Sequence, residues 1–364
     1  MRFVPSILVL GSVMLVHCAN DPVNVPVDPP GVDLLAPPKV GEGVQYKMLS
    51  RIESGQEIER CRLVVAPPGG LFIRKDEVRF TAGSHHVLLY KTPYTAIPTK
   101  NRRGVPVNGA EVHDCADGAL DAWQVSGIVA GSQSGTGDSL VGELPAGVAI
   151  TVEPGTVLLM NTHYLNASSD AVDADARINL YTLPKEQVKT EAGVMFFYNP
   201  FIRVPESGAA SAQMRCPVPQ DISIVRVQSH MHRRGVGFIA NLSDGAGNVK
   251  EEIYTSHSWE QVPATTFQPL LEVKAGHTLD YRCDYTNTEA HSVMQGLTTK
   301  DEMCMLIGPY FPRVPAFETC DDVDFASAGT WTGSGPRMAR RRSGALPPRS
   351  RRTRTAATIS SAAW

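Results

Sequence analysis

The sequence predicts an all-β protein made of two tandem β-sandwich domains of the jelly-roll kind. Three observations carry that expectation. Few stretches of the 364 residues keep a helical periodicity. Short β-rich runs recur instead, at Arg62–Ala66, His86–Tyr90, Val148–Val152, Thr156–Tyr164, Ile222–Val227, Gly237–Leu242 and Leu279–Tyr285. Turn-forming clusters such as Pro67-Pro68-Gly69-Gly70 and Ser243-Asp244-Gly245-Ala246-Gly247 separate them. Many short strands broken by Gly and Pro are what sandwiches and jelly rolls require. The span from Gln45 to Phe325 is longer than one hydrophobic core usually serves, so two domains are expected, at 46–190 and 191–325.

The ends of the chain have other compositions. Met1-Arg2 is followed by an apolar run from Phe3 to Val16, too short to span a bilayer as a mature helix. Leu15-Val16-His17-Cys18 reads as a lipobox, so 1–18 is taken as a signal peptide and Cys18 as the lipidated first residue. His17 departs from the small residue expected there, and an ordinary secretory signal is the alternative. Either way the protein is exported, and the lipobox implies a lipid anchor in a bacterial envelope. Residues 19–45, with Pro22, Pro26, Pro29, Pro30, Pro37 and Pro38, read as an extended tether.

From Phe325 to Trp364 there are eight arginines, no lysine and no acid, so the other 324 residues carry 26 − 37 = −11. The arginines sit among Ser, Pro, Ala and Gly, and 326–364 is expected to be a disordered, solvated tail. Without aromatic interleaving or a recognition fold, nucleic acid is not an expected partner. A monomer is expected.

Removing Cys18 leaves Cys61, Cys115, Cys216, Cys283, Cys304 and Cys320. An even number in an oxidising compartment points to disulfides, with fifteen pairings possible for six cysteines. If all six pair, no thiolate remains for a metal, and histidine and methionine become the candidate ligands.

Two histidine clusters follow. In Gly83-Ser84-His85-His86-Val87 adjacent histidines open an apolar strand. Neighbours on a regular strand diverge, so both can reach one metal only if the backbone departs from regularity, which Gly83 and Ser84 permit. His163, closing the run Val157–Tyr164, is the third imidazole. Three histidines suit copper, zinc or iron alike. In the second half, His230-Met231-His232 puts both imidazoles on one side of a strand and Met231 on the other. Asp301-Glu302-Met303-Cys304 then offers Met303, whose soft thioether favours copper, especially Cu(I), over zinc. By itself Met303 reads equally well as a core methionine. The acidic pair beside it points to a surface or cleft.

His-His before an apolar strand, Thr-His-Tyr at a strand end, His-x-His and Asp-Glu-Met-Cys occur here in that order. The combination resembles the copper type II, ascorbate-dependent monooxygenases, over roughly Cys61 to Pro312. The resemblance implies two jelly-roll sandwiches facing each other across a solvent-filled cleft, with one copper in each. His85, His86 and His163 would hold an electron-transfer copper. His230, His232 and Met303 would hold the catalytic copper that meets O2, with ascorbate as electron donor and a small-molecule substrate. It also implies the pairs Cys61–Cys115, Cys216–Cys320 and Cys283–Cys304.

The substrate-reading positions depart from the peptide-hydroxylating branch. Gln228 stands where that branch has arginine, and Met305 and Ile307 where it has asparagine and tyrosine. A grip on a carboxylate is therefore missing. The alternative function is a non-catalytic copper-binding exported lipoprotein, for which one site would be enough.

Overall fold

The computed structural model describes residues 35–320 except 82, 116–117 and 134–138, together with the backbone of 329–333. The signal segment, Cys18 and the arginine run lie outside the described residues.

Alternation of side chains between two faces shapes nearly the whole described chain into strands. The first half contains β1 (Gly43–Ile52), β2 (Glu57–Val65), β3 (Leu71–Phe80), β4 (Ser84–Lys91), β5 (His113–Asp114), β6 (Gly127–Ser132), β7 (Val148–Val152), β8 (Val157–Leu165), β9 (Val172–Thr182) and β10 (Thr190–Glu191). They form two five-stranded sheets, ordered β1-β9-β3-β7-β10 and β5-β2-β8-β4-β6. The second half contains β11 (Gly193–Tyr198), β12 (Arg203–Val204), β13 (Gly208–Pro217), β14 (Ile222–Met231), β15 (Gly235–Ser243), β16 (Val249–Ser256), β17 (Ala264–Val273), β18 (Thr278–Asn287), β19 (Val293–Met294), β20 (Cys304–Phe311) and β21 (Gly329–Gly333). Its main sheets are β11-β20-β14-β17 and β16-β15-β18-β13-β21. The chain passes from one set of sheets to the other at Ala192, between β10 and β11.

The seven expected β-rich runs fall in β2, β4, β7, β8, β14, β15 and β18. Strands such as β16 and β17 escaped notice because most of their side chains face water, leaving no apolar alternation to read. Two stretches differ from expectation. The end of the supposed tether is docked: the carbonyls of Leu35 and Ala36 accept from Gln45 Nε2 (2.9 Å), Arg177 Nη1 (3.2 Å) and Asn179 Nδ2 (2.8 Å), and β1 begins at Gly43. The first residues of the expected tail, Gly329–Gly333, pair antiparallel with β13, where Thr-Trp-Thr supplies the β propensity.

Each half has its own core, and the two inner sheets also meet. On β4, Val87 and Leu89 point into the first core, while His86, Leu88 and Tyr90 line a cavity toward the second half. On β20, Cys304, Leu306 and Tyr310 belong to the second core, whereas Met305 and Ile307 face the first half. β11 divides in the same way, with Met195 and Phe197 inward and Phe196 and Tyr198 on the cavity.

Two register shifts set which face the histidines take. On β4, Ser84 pairs with Tyr164 and His86 with His163, so two steps answer one, and His85 is the extra residue. Gly83, at φ +94°, enters this bulge in a conformation that suits glycine. On β14, Ile224 pairs with Tyr310 and Gln228 with Ile307, so four steps answer three. Before the extra residue, Ile222 and Ile224 point into the second core; after it, Val227 and Met231 do. A strand without the bulge would keep even-numbered residues inward and bury His230 and His232 in that core. The bulge reverses the phase and turns both toward the first half.

The disulfides are Cys61–Cys115, Cys216–Cys320 and Cys283–Cys304. The last adjoins Met303, whose carbonyl also accepts from Tyr285 Oη at 2.8 Å.

The β14 bulge leaves little room beside it. A Cβ at Gly308 would lie 2.1 Å from the Arg226 carbonyl oxygen, so the backbone of one strand would have to move. Gly308→Ala is expected to destabilise the protein by about 1–3 kcal/mol, the usual range for overpacking. Urea unfolding should show a lower midpoint at constant m. An unchanged midpoint would mean that the strands tolerate the extra carbon.

Candidate metal centre

The bulges bring five imidazoles together between the inner sheets. Ring centroids lie 5.5 Å apart for His85–His86, 5.5 Å for His85–His163, 5.4 Å for His86–His163 and 5.1 Å for His230–His232. The two sets also touch each other: His85 lies 5.1 Å from His230 and 5.7 Å from His232. The two histidine sets are thus in ring contact. The inner sheets pack directly, and the bulged residue His85 reaches the opposite wall. Beside the histidines lies a pocket with about 560 Å³ of atom-free space, part of it open to solvent, lined by both halves.

Burial decides the charge of His85, His86, His230 and His232. It pushes His86 down to about 3 and His232 to about 4, and holds His85 and His230 well below the ordinary imidazole value, with neighbouring imidazoles adding to the effect. They are neutral at physiological pH, as ligands must be.

A neutral imidazole has one N–H and one lone pair, and an oxygen acceptor fixes which nitrogen carries the proton. His86 Nε2 meets Asn161 Oδ1 at 2.9 Å, and Asn161 is oriented by donating Nδ2 to Glu59 Oε2 at 2.9 Å. His163 Nε2 meets Glu57 Oε1 at 3.1 Å. That carboxyl is held down at about 2, chiefly by its bond to His163 and also by Thr299, whose N–H (3.0 Å) and Oγ1 (2.7 Å) both donate to it. His230 Nδ1 bonds to Gln133 Oε1, and Gln133 Nε2 donates to the Ser229 carbonyl at 3.4 Å. His232 Nδ1 meets the Asp301 carbonyl at 3.2 Å.

The lone pairs therefore fall on Nδ1 of His86 and His163 and on Nε2 of His230 and His232. Among the described residues, His85 Nε2, His86 Nδ1 and His163 Nδ1 are buried with no hydrogen-bond partner. Unpaired buried nitrogens are costly, and a metal ion is the partner that would satisfy several at once. One ring nitrogen each from His85, His86 and His163 lie within 4.8 Å of one another, so this set can hold a metal ion. Met303, 8% exposed, lines the cavity together with His230 and His232. Met231 points away into the second core, as strand alternation requires.

The acidic pair before Met303 departs from expectation. Glu302 is wholly buried, and its carboxylate accepts the backbone N–H of His232 (3.1 Å) and of Arg234 (2.8 Å). Burial pushes it up to about 7. It braces the turn that carries His232. Sequence reasoning also missed Glu57, Gln133 and Thr299, whose contacts bridge residues up to 242 positions apart. Asn161 was within reach, since it lies two residues before His163 on the same strand face. The remaining histidines lie elsewhere: His113 packs on Trp123, and His257 and His291 are exposed.

Gln133 comes from the first half and orients a histidine of the second. Gln133→Leu removes the acceptor for His230 Nδ1. A loss of such a partner typically weakens metal binding about 10–100-fold, which competition with a chromophoric copper chelator would read. An unchanged affinity would show that the contact does not position the ring.

The buried rings also make stability depend on pH. Unfolding releases them to water, where they take up protons that the native state refuses, so stability is lost as the pH falls. For the metal-free protein the decline should begin near about pH 6.5, the free imidazole value, and continue through about 4, where His232 titrates. Urea midpoints at several pH values test this; a flat profile over that window would contradict neutral burial.

The comparisons with known proteins bear on the second half. Residues 191–325 match the family model of the copper type II ascorbate-dependent monooxygenase, C-terminal domain. No curated protein matches the chain. The matched segment starts where the chain enters the second set of sheets and includes His230, His232 and Met303. The family likeness is thus to the C-terminal domain of the copper type II ascorbate-dependent monooxygenases, over residues 191–325.

Proposed function

We propose that this chain is an exported, copper-dependent monooxygenase that hydroxylates a C–H bond of an apolar small molecule, using O2 and ascorbate. On this reading it has two jelly-roll domains with one copper site each. His85, His86 and His163 hold the electron-transfer copper. His230, His232 and Met303 hold the catalytic one. Copper would supply the redox chemistry there: a substrate C–H and O2, with two electrons from ascorbate and two protons, give an alcohol and water.

The observation that carries this reading is the gathering of His230, His232 and Met303 on the wall of an apolar pocket, in the segment that matches the family, with unpaired buried ring nitrogens at His85, His86 and His163 in the adjoining set. The chain's own residues prepare that space. Asn161, Glu57, Gln133 and the Asp301 carbonyl hold four rings by their N–H groups. Glu302 and the Cys283–Cys304 bond fix the backbone on either side of Met303. A thioether in that position favours Cu(I), the state that meets O2.

The cavity wall supports the substrate class. Leu88, Tyr90, Leu120, Phe196, Tyr198 and Leu297 line it, with Met305 and Ile307 beside the histidines. Gln228 pairs across the sheet with Ile307, and His230 with Met305, so the carboxylate-gripping positions of the peptide branch fall side by side on β14 and β20. Here they present an amide, a thioether and an alkyl group. No lysine or arginine is among the lining residues, which disfavours a carboxylate substrate.

Three disulfides suit an oxidising compartment, in keeping with export and a lipid anchor at Cys18.

Purified protein should bind two copper ions per chain and consume O2 with ascorbate when an apolar substrate is supplied. Met303→Ala should abolish most turnover while the first site keeps its copper. If turnover persists in Met303→Ala, or a broad apolar panel draws no O2 uptake from the fully loaded protein, the monooxygenase reading is wrong. A stoichiometry of one copper would instead favour a carrier.

A further inference from the structure

The two histidine sets share a member. One ring nitrogen each from His85, His230 and His232 lie within 4.8 Å of one another, the same closeness that joins His85 to His86 and His163. A neutral imidazole offers one lone pair, so His85 can serve only one of these sets at a time. Distance does not choose between them: the His85 ring is 5.5 Å from His86 and from His163, and 5.1 Å and 5.7 Å from His230 and His232.

We propose that His85, His230 and His232 form a further metal site, spanning the two halves, for a divalent ion that prefers nitrogen to thioether. Zn(II) is the ion its chemistry fits. Filling the site withdraws His85 from the first-half set and ties the inner sheets together.

Three observations carry this. His85 Nε2 is buried without a partner, although His85 is the one ring of the five with no hydrogen-bonding anchor named above. Its place on the bulge removes it from regular pairing, so the side chain can turn to either set. His230 and His232 are locked by Gln133 and by the Asp301 carbonyl with their Nε2 lone pairs free to converge on it. Three imidazoles with an open fourth position make a tetrahedral zinc environment, whereas a thioether is a poor zinc ligand and a good one for Cu(I). The identity of the ion therefore selects the third partner of His230 and His232: Met303 for Cu(I), His85 for Zn(II).

The inference rests on imidazole geometry and not on the monooxygenase reading. Zn(II) is redox-inactive, so the two can fail separately. The test is titration of the full chain with Zn(II) alone, followed by NMR of ¹⁵N-histidine. The first equivalent should move the ring signals of His85, His230 and His232 together. In the His86→Ala/His163→Ala variant one Zn(II) should still bind, and adding His85→Ala should weaken it at least tenfold. The proposal is overturned if no Zn(II) binds, if His85 moves with His86 and His163 while His230 and His232 stay still, or if His85→Ala has no effect in that variant. Should the multiple variants fail to fold, the titration of the unmutated protein decides alone.

Discussion

Five imidazoles occupy the contact between two sheets; burial keeps His85, His86, His230 and His232 neutral there, and four of the five rings are fixed by an oxygen partner. Much of the surrounding structure follows from the demand that they stay so. A protonated ring would be a buried charge without compensation, and an unanchored N–H would be an orphaned donor. Hence an amide oxygen at His86, a carboxylate at His163, a second amide at His230 and a backbone carbonyl at His232. Those acceptors are themselves held: Asn161 by Glu59, Glu57 by Thr299, Gln133 by the Ser229 carbonyl. What the fold leaves unsatisfied are lone pairs, the one feature a metal can complete. The metal-free protein thus carries a local cost that a bound metal would remove, which would link stability and metal affinity through the same atoms.

The sheets meet this demand by breaking their own regularity. A strand is a strict two-residue device, and one extra residue exchanges its faces. On β14 that exchange happens between Ile224 and Gln228, at least two residues before His230, yet it decides whether the pair faces its own core or the opposite half. On β4 the extra residue is a histidine itself, which is how two consecutive imidazoles come to share a space. The same phase argument separates the methionines: Met231 lies in the core of the second half and Met303 on the cavity, although both sit within reach in sequence.

Legibility in the sequence followed the range of the interactions. The all-β class, seven of the strands and the grouping of the histidines rest on short-range patterns and could be read from them. His230 and His232 sharing a face is a statement about neighbours two apart; which face they share depends on a bulge that no local composition announces. Gly83 and Ser84 marked the departure at His85, because glycine tolerates the backbone needed there. Gln133 lies in a Gly- and Ser-rich stretch and gave no sign that it would meet a histidine 97 residues away. Glu302 misled, since an acidic pair ordinarily faces water; here one member is buried because two backbone N–H groups of the β14 turn need an acceptor. The close approach of the two histidine sets was likewise not legible, because sheet-to-sheet packing is set by side chains scattered over both halves.

The anchoring contacts cross between the halves in both directions. Gln133 of the first half orients His230 of the second; Thr299 of the second half holds Glu57, which orients His163 of the first. Neither half contains every residue that fixes its own rings. The segment 191–325 matches the family's C-terminal domain, yet without its partner His230 would lose the oxygen that fixes its tautomer, and the cavity beside it would lose a wall. A ring free to flip presents its lone pair to the metal only part of the time, which lowers affinity in proportion to the competent fraction. The candidate metal site is therefore built by the pair of inner sheets, and the docking of the halves is as much a part of it as the histidines themselves.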